Sequence, residues 1–280
     1  MALYIIEQAE RDGKIRPGDL LIDNSSGNTA VSVGMVGACK GYRTLFTVPD
    51  KTSQEKIDLI RAMGSEVIVC PTDVAHNHPD SYYSTARRLA TERPGFLINQ
   101  YHNPKNIDSH YHSTGPEIWE QTGGQVDAVV AGIGTGGTLS GIGRFLKERN
   151  PSIRIVAADP VGSIFHDYVK FDRLIEPGRY FVEGVGTDVP CDAFDPSVVD
   201  EIVQVDDQEA FTLARRIVRN EGMIVGGSSG SAMAGLLKWA ASQPAKPKLK
   251  IVTLLPDSGM RYVSKFLNDK WMHDHGFALE

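Results

Sequence analysis

Residues 126–141 read Val-Asp-Ala-Val-Val-Ala-Gly-Ile-Gly-Thr-Gly-Gly-Thr-Leu-Ser-Gly. The near-continuous apolar run from Val126 to Ile133, broken only by Asp127, suits a parallel strand covered on both faces. A helical pattern over 137–149 follows at once, so the glycines lie in a strand-to-helix turn. Glycine lets the backbone turn tightly and come close to an anion, and a helix N-terminus offers unpaired N–H groups and the positive end of its dipole. Thr135 and Thr138 add hydroxyl donors. Two ligands satisfy this turn. One is a monophosphate. The other is a dinucleotide: Gly132, Gly134 and Gly137 fit G-x-G-x-x-G, and a strand over 153–158 delivers Asp159 about 20 residues on, where a ribose-binding acid belongs. A tight turn that binds nothing is the third reading. No Gly-Lys-Ser/Thr follows, so this is not a Walker-type loop.

Outward from this turn, strands and helices alternate. Upstream, the pattern predicts an amphipathic helix to Asp12, with Leu3, Ile6 and Ala9 on its apolar face, ended by Gly13 and Pro17-Gly18. A short strand at 20–22, a small-residue helix over 28–40, a strand at 44–48 and a helix reaching Met63 follow. Thr52-Ser53 and Gly64 serve as the caps of that last helix. Further elements are a strand at 66–70, a helix at 81–92 and a strand at 96–98. Downstream lie helices at 207–221 and 228–241 and a strand at 250–255. Residues 159–206 are the least regular. The alternation implies an α/β fold with parallel sheets covered by helices. The domain boundary is expected near Ser113, giving a smaller domain over 1–112 and a larger one over 113–280.

Two more helix starts are rich in small and hydroxyl residues. Ser25-Ser26-Gly27-Asn28-Thr29 reads either as an N-cap loop or as a turn for a carboxylate. The helix behind it carries Ala30, Gly34, Gly37 and Ala38, which would allow close packing. Gly226-Gly227-Ser228-Ser229-Gly230-Ser231 repeats the device. A dinucleotide enzyme needs one such cradle; a phosphorylated ring with a carboxylate-bearing substrate could use three.

The remaining composition narrows the classes. Of 280 residues, 41% are hydrophobic and 23% charged, ordinary for a globular chain with a sizeable core. Net charge is −6, with basic residues scattered, which argues against nucleic acid or an anionic membrane as partner. Cys39, Cys70 and Cys191 are too few and too widely spaced for a disulfide framework or a zinc site. No apolar stretch would span a membrane and the N-terminus is not a signal peptide, so a cytoplasmic setting is expected. Three His-x-His pairs (76/78, 110/112 and 273/275) lack an obvious third ligand, so no metal is expected. Trp119, Trp239 and Trp271 read as core or interface. Lys14 and Lys40 read as surface.

The three cradles in this order resemble the pyridoxal phosphate (PLP)-dependent β-family of fold type II, and within it the cystathionine β-synthases, close to the cysteine synthases. Asn99-Gln100-Tyr101, Ala158-Asp-Pro-Val-Gly-Ser163, Val182-Glu-Gly-Val-Gly186 and the Leu255-to-Met272 ending carry the same resemblance. It covers essentially the whole chain and decides for PLP over the dinucleotide. It implies that Gly134, Thr135, Gly136, Gly137 and Thr138 hold the phosphate, that Asn28 bonds the 3′-oxygen and that Ser228 meets the pyridine nitrogen. It further implies that Ser25, Ser26, Gly27, Thr29 and Gln100 bind the substrate carboxylate, with Tyr101 and Gly184 on the substrate side and Tyr101 the candidate catalytic residue. The implied reaction is β-replacement on serine or an activated serine with a thiol: homocysteine, or sulfide in the cysteine synthase alternative. The implied partners are small molecules and a second copy in a homodimer. Ser25 and Ala30 stand where the family often has Thr and Gly, and Thr187 where some relatives have Tyr. The family's Schiff-base lysine lies in a Ser-Val-Lys-Asp-Arg stretch that would directly precede Met1. The chain is therefore expected to begin after that lysine and the N-terminal strands. A non-catalytic PLP-binding relative is the reading that this departure adds.

Overall fold

The structure is a computed structural model that describes all residues except 51, 72, 76 and 245–247. The chain divides into two compact units, Met1–Asn106 and Ile107–Glu280.

In the first unit, α1 (Ala2–Arg11) precedes β1 (Leu20–Asp23), α2 (Asn28–Lys40), β2 (Arg43–Pro49), α3 (Gln54–Ala62), β3 (Glu66–Cys70), α4 (Tyr82–Glu92) and β4 (Gly95–Leu97). The strands form one parallel sheet in the order β3-β2-β1-β4. Alternate side chains serve opposite layers, as a strand's period of two requires. Leu21, Phe46 and Val48 pack with α1, α2 and α3. Leu20, Ile22 and Leu45 pack with Ala86 and Leu89 of α4. On α1 the buried residues are Ala2, Ile5, Ile6 and Ala9. Leu3, expected on that face, is half exposed. It lies about 100° around the helix from Ala2, at the edge of the i, i+3, i+4, i+7 stripe.

Helix α5 (Lys105–His112) leads to the second unit, which continues with α6 (Thr114–Thr122), β5 (Ala128–Gly132), α7 (Gly137–Arg149), β6 (Arg154–Pro160), α8 (Phe165–Phe171), β7 (Glu201–Val205), α9 (Asp207–Glu221), α10 (Gly227–Ser242), β8 (Ile251–Thr253) and α11 (Asp269–Asp274). Its parallel sheet runs β7-β6-β5-β8. Trp239 of α10 is buried against Ala128, Val130 and Val156, and its indole N–H donates to Glu201 at 2.8 Å. The stretch 159–206 is not wholly irregular. It contains α8 and the strand β7, which pairs with β6 over Val156–Pro160. Close helix packing rests on small residues: a Cβ on Gly230 would lie 1.9 Å from the Ala210 carbonyl oxygen of α9, and one on Gly235 2.6 Å from Ala158 Cβ.

Candidate active site

Each unit has its first strand inside the sheet. From β1 the chain runs outward to β2 and β3 and later returns to β4 on the other side; from β5 it runs to β6 and β7 and returns to β8. Loops leaving the C-terminal ends of β1 and β4, or of β5 and β8, therefore part company and open a crevice. The cradle at 24–29 follows β1 and the cradle at 132–138 follows β5.

In the first unit, Thr29 Oγ1 donates to Gln100 Oε1 at 2.8 Å, and the Gly27 N–H donates to Ser25 Oγ at 3.4 Å. Gln100 lies just past β4. Its carbonyl accepts from Asn106 Nδ2 at 2.9 Å, and Asn99 before it takes a positive φ of 53°. Gln100 Nε2 stands 3.5 Å from Asp23 Oδ2. Asp23, the last residue of β1, is fully buried, and its Oδ1 and the neighbouring Asn24 Nδ2 have no hydrogen-bond partner among the described residues. Burial pushes the Asp23 carboxyl up to about 7, against the pull of backbone N–H groups at Asn24, Gln100 and Asn99. Tyr101 packs edge-on against Tyr83, with ring centroids 5.8 Å apart. Burial, and then its neighbours Tyr101 and Tyr82, drive the Tyr83 phenol upward. Ser26 and Asn28 complete the turn, and Asn28 opens α2. Behind it the small residues do let β2 come close: a Cβ on Gly37 would lie 2.6 Å from Thr44 Cγ2.

In the second unit three stretches converge. A Cβ on Gly134 would lie 2.8 Å from the Gly184 carbonyl oxygen, and one on Gly132 2.5 Å from Val185 and 3.7 Å from the Ser228 carbonyl oxygen. A Cβ on Gly184 would be 4.0 Å from Ser228 Cβ. The Gly186 N–H donates to the Ile133 carbonyl at 2.7 Å. Gly136 ends the turn at φ 85°, a value only glycine adopts freely, and the Gly137 N–H donates to Thr135 Oγ1 at 3.4 Å. Ser228 is buried in the first turn of α10.

This donor set fits PLP. The turn 132–138 contains no carboxylate to repel a phosphate, and the first N–H groups of α7 have no carbonyl one turn earlier to satisfy them. Side chains at Gly132 and Gly134 would push the 182–186 stretch away from the turn. Asp159 does not fit the dinucleotide reading. It is fully buried, accepts from the His166 N–H at 2.9 Å, and is pushed up to about 7 by burial. It fastens the start of α8, where no ribose can reach it.

Thr187 is also buried. Its hydroxyl donates to the Val189 carbonyl at 2.9 Å, and its N–H donates to Ser163 Oγ at 3.1 Å. Sequence reasoning passed over Asp23 and gave His110 only a place in a metal pair. His110 instead meets the cradle, with Nε2 3.2 Å from Thr138 Oγ1. Among the described residues no group of three or more His, Cys, Asp or Glu could hold a metal ion; His76 lies outside them. His275 stacks on Trp271 at 4.0 Å. Lys14 pairs with Asp12 and Lys40 with Glu10. Among the described residues no helix is long and apolar enough to cross a membrane.

Comparison with known proteins agrees with this geometry. The family model described as "Pyridoxal-phosphate dependent enzyme" matches residues 1–257. Cystathionine beta-synthase of Rattus norvegicus is 42% identical over all of this chain and 50% of its own length. The protein of the same name from Saccharomyces cerevisiae is 41% identical over 97% of this chain and 55% of its own. The chain thus spans about half the length of the curated relatives it matches. A crystal structure of O-ureido-L-serine synthase superposes with a TM-score of 0.86 at 31% identity, over 97% of this chain and 85% of that one. Two parallel four-stranded sheets, the converging glycine turns and a family match over nearly the whole length lead to one statement: the chain belongs to the pyridoxal-phosphate dependent enzymes, with the fold of their type II members.

Proposed function

We propose that this chain supports β-replacement on serine or an activated serine, exchanging the β-substituent for a thiol, with homocysteine preferred and cystathionine as product. The observation that carries the proposal is the convergence of the 132–138, 182–186 and 226–231 stretches, in a chain 41–42% identical to cystathionine beta-synthases. When bound, PLP supplies an electron sink that lets an attached amino acid lose its α-proton and β-substituent. Gly134, Thr135, Gly136, Gly137 and Thr138 hold the phosphate through backbone N–H groups and two hydroxyls. Ser228 faces the pyridine nitrogen. A serine there, unlike a carboxylate, does not hold the ring protonated, which favours elimination over transamination. Asn28 bonds the 3′-oxygen. Ser25, Ser26, Gly27, Thr29 and Gln100 bind the substrate carboxylate, and Tyr101 and Gly184 line the substrate side.

The smaller domain, 1–112 by the sequence, carries the substrate residues, and the larger one, 113–280, carries the phosphate site. The protein acts in the cytoplasm as a homodimer. A second reading, cysteine synthesis from sulfide, draws on Thr187: its hydroxyl is engaged internally, so it offers no side-chain contact to a large thiol. Competition between homocysteine and sulfide in the full-length, PLP-loaded protein tests the choice. Cystathionine should dominate. Dominant cysteine formation would select the second reading, and transamination products would sink both.

A further inference from the structure

The phosphate cradle is backed by a side chain from another helix. His110 of α5 has Nε2 3.2 Å from Thr138 Oγ1 and Nδ1 2.9 Å from Thr114 Oγ1. Gly141, one turn beyond Thr138 on α7, makes this approach possible. A Cβ there would lie 2.4 Å from the Ile107 carbonyl oxygen and 2.7 Å from His110 Cβ. The backbone of α5 thus rests directly on α7, at the height that delivers the imidazole to Thr138. Nearby, Ser113 Oγ donates to the Ser109 carbonyl at 2.6 Å, tying down the end of α5.

Each threonine hydroxyl has one proton to give, and a neutral imidazole has one N–H. Burial pushes the His110 pKa down to about 4, so the ring is neutral near pH 7. Two arrangements then satisfy both contacts. With the proton on Nδ1, Nε2 is a lone pair, and Thr138 must spend its proton on the ring. Thr138 would then present only lone pairs to an anion. With the proton on Nε2, the ring donates to Thr138 Oγ1, and the threonine proton is left for the phosphate. Nδ1 meanwhile accepts from Thr114. In this second arrangement every proton is directed toward the cradle.

We propose that His110 is a positioning residue for the cofactor phosphate: its Nε2–H tautomer, fixed by Thr114, holds the Thr138 hydroxyl as a donor. This rests on the assignment of the 134–138 turn to the PLP phosphate. Two measurements test it. The first is nitrogen-15 NMR of the histidine side chains in the PLP-bound protein, which reads the His110 tautomer without any substitution. A protonated Nε2 and a bare Nδ1 are expected; a protonated Nδ1 overturns the proposal. The second is the ratio of pyridoxal to PLP dissociation constants, which isolates what the phosphate contributes to binding. His110→Leu should lower that ratio by up to about tenfold, because Thr138 keeps its hydroxyl proton but loses the donor that holds it in place. His110→Gln, whose amide N–H can stand near the Nε2 position, should restore most of it. An unchanged ratio in His110→Leu, or equal loss in both variants, refutes the positioning role. If the unsubstituted protein binds pyridoxal as tightly as PLP, the phosphate assignment itself fails and takes this proposal with it.

Discussion

Replacing Asp23 with asparagine should remove that side chain's share of the pH dependence of the first unit's stability. The Asp23 carboxyl is fully buried at the end of β1, and its pKa rises from 3.8 to about 7. In the unfolded chain it ionises near its ordinary value. Between about pH 4 and 7 the unfolded state has therefore released a proton that the folded state keeps. Stability contributed by the neutral carboxyl is full below pH 4 and is lost as pH rises through 7. The slope is about −1.4 kcal/mol per pH unit, so roughly 3 units amount to about 4 kcal/mol, an upper figure for a single group. Asparagine cannot ionise. It loses one acceptor oxygen at a cost of about 1–2 kcal/mol that does not vary with pH. Asp23→Asn should thus be no more stable than the native protein at pH 4.5 and more stable at pH 8.5. Native-state hydrogen exchange of the slowest amides in β1 and β2 reports this unit alone. Other titrating groups cancel in the difference between the two proteins. A difference that stays constant from pH 4 to 8 would refute the assignment of a neutral, buried Asp23.

Ser228→Ala should reduce turnover by at least tenfold while leaving the pyridoxal-to-PLP dissociation ratio unchanged, because the substitution touches the ring and not the phosphate; steady-state rates and PLP titration of one preparation decide it. Gly134→Ala should weaken PLP binding by tenfold or more with the sheet intact, since the new Cβ would sit 2.8 Å from the Gly184 carbonyl oxygen; retained affinity in an absorbance titration would show that the 182–186 stretch yields easily. Gly230→Ala should cost about 1–3 kcal/mol through overpacking, because its Cβ would overlap the Ala210 carbonyl at 1.9 Å; urea unfolding followed through Trp239 measures it, and an unchanged midpoint would contradict the close α9–α10 contact.

Much of this architecture could be read from local chemistry. Helix α7 and the turn before it are specified by the glycines at 134, 136 and 137, and α9 by the Asp206–Glu209 capping box. Both devices act within a few residues, so sequence alone displays them. Strand β7 is not legible in the sequence because Glu201 to Gln204 are only half-buried at the sheet edge, and their alternation is too short to separate from a loop. Helices α5 and α6 carry polar residues such as His110 and Thr114 at positions that face other helices, which blurs their period. The importance of Asp23 and His110 lies in contacts with Gln100 and Thr138, 77 and 28 residues away along the chain. No local pattern encodes such pairings. Leu3 departs from its expected face for another reason: a side chain at the margin of an apolar stripe can be exposed without disturbing the helix.

The cradles after β1 and β5 are twins in place and length. Each follows an inner strand of its sheet, has a glycine as the last residue before the helix, and opens a helix of 13 residues whose second position is a threonine. Their torsions differ, since Gly27 has φ −104° and Gly136 φ 85°, and the surrounding sequences share little else. The threonines also meet different company: Thr29 faces an amide, Gln100, and Thr138 an imidazole, His110. Two turns of one pattern thus set their threonines against different partners while the turn itself stays put. What tells the two turns apart lies on the neighbouring helix and loop, at His110 and Gln100, and not in the glycine that ends each turn.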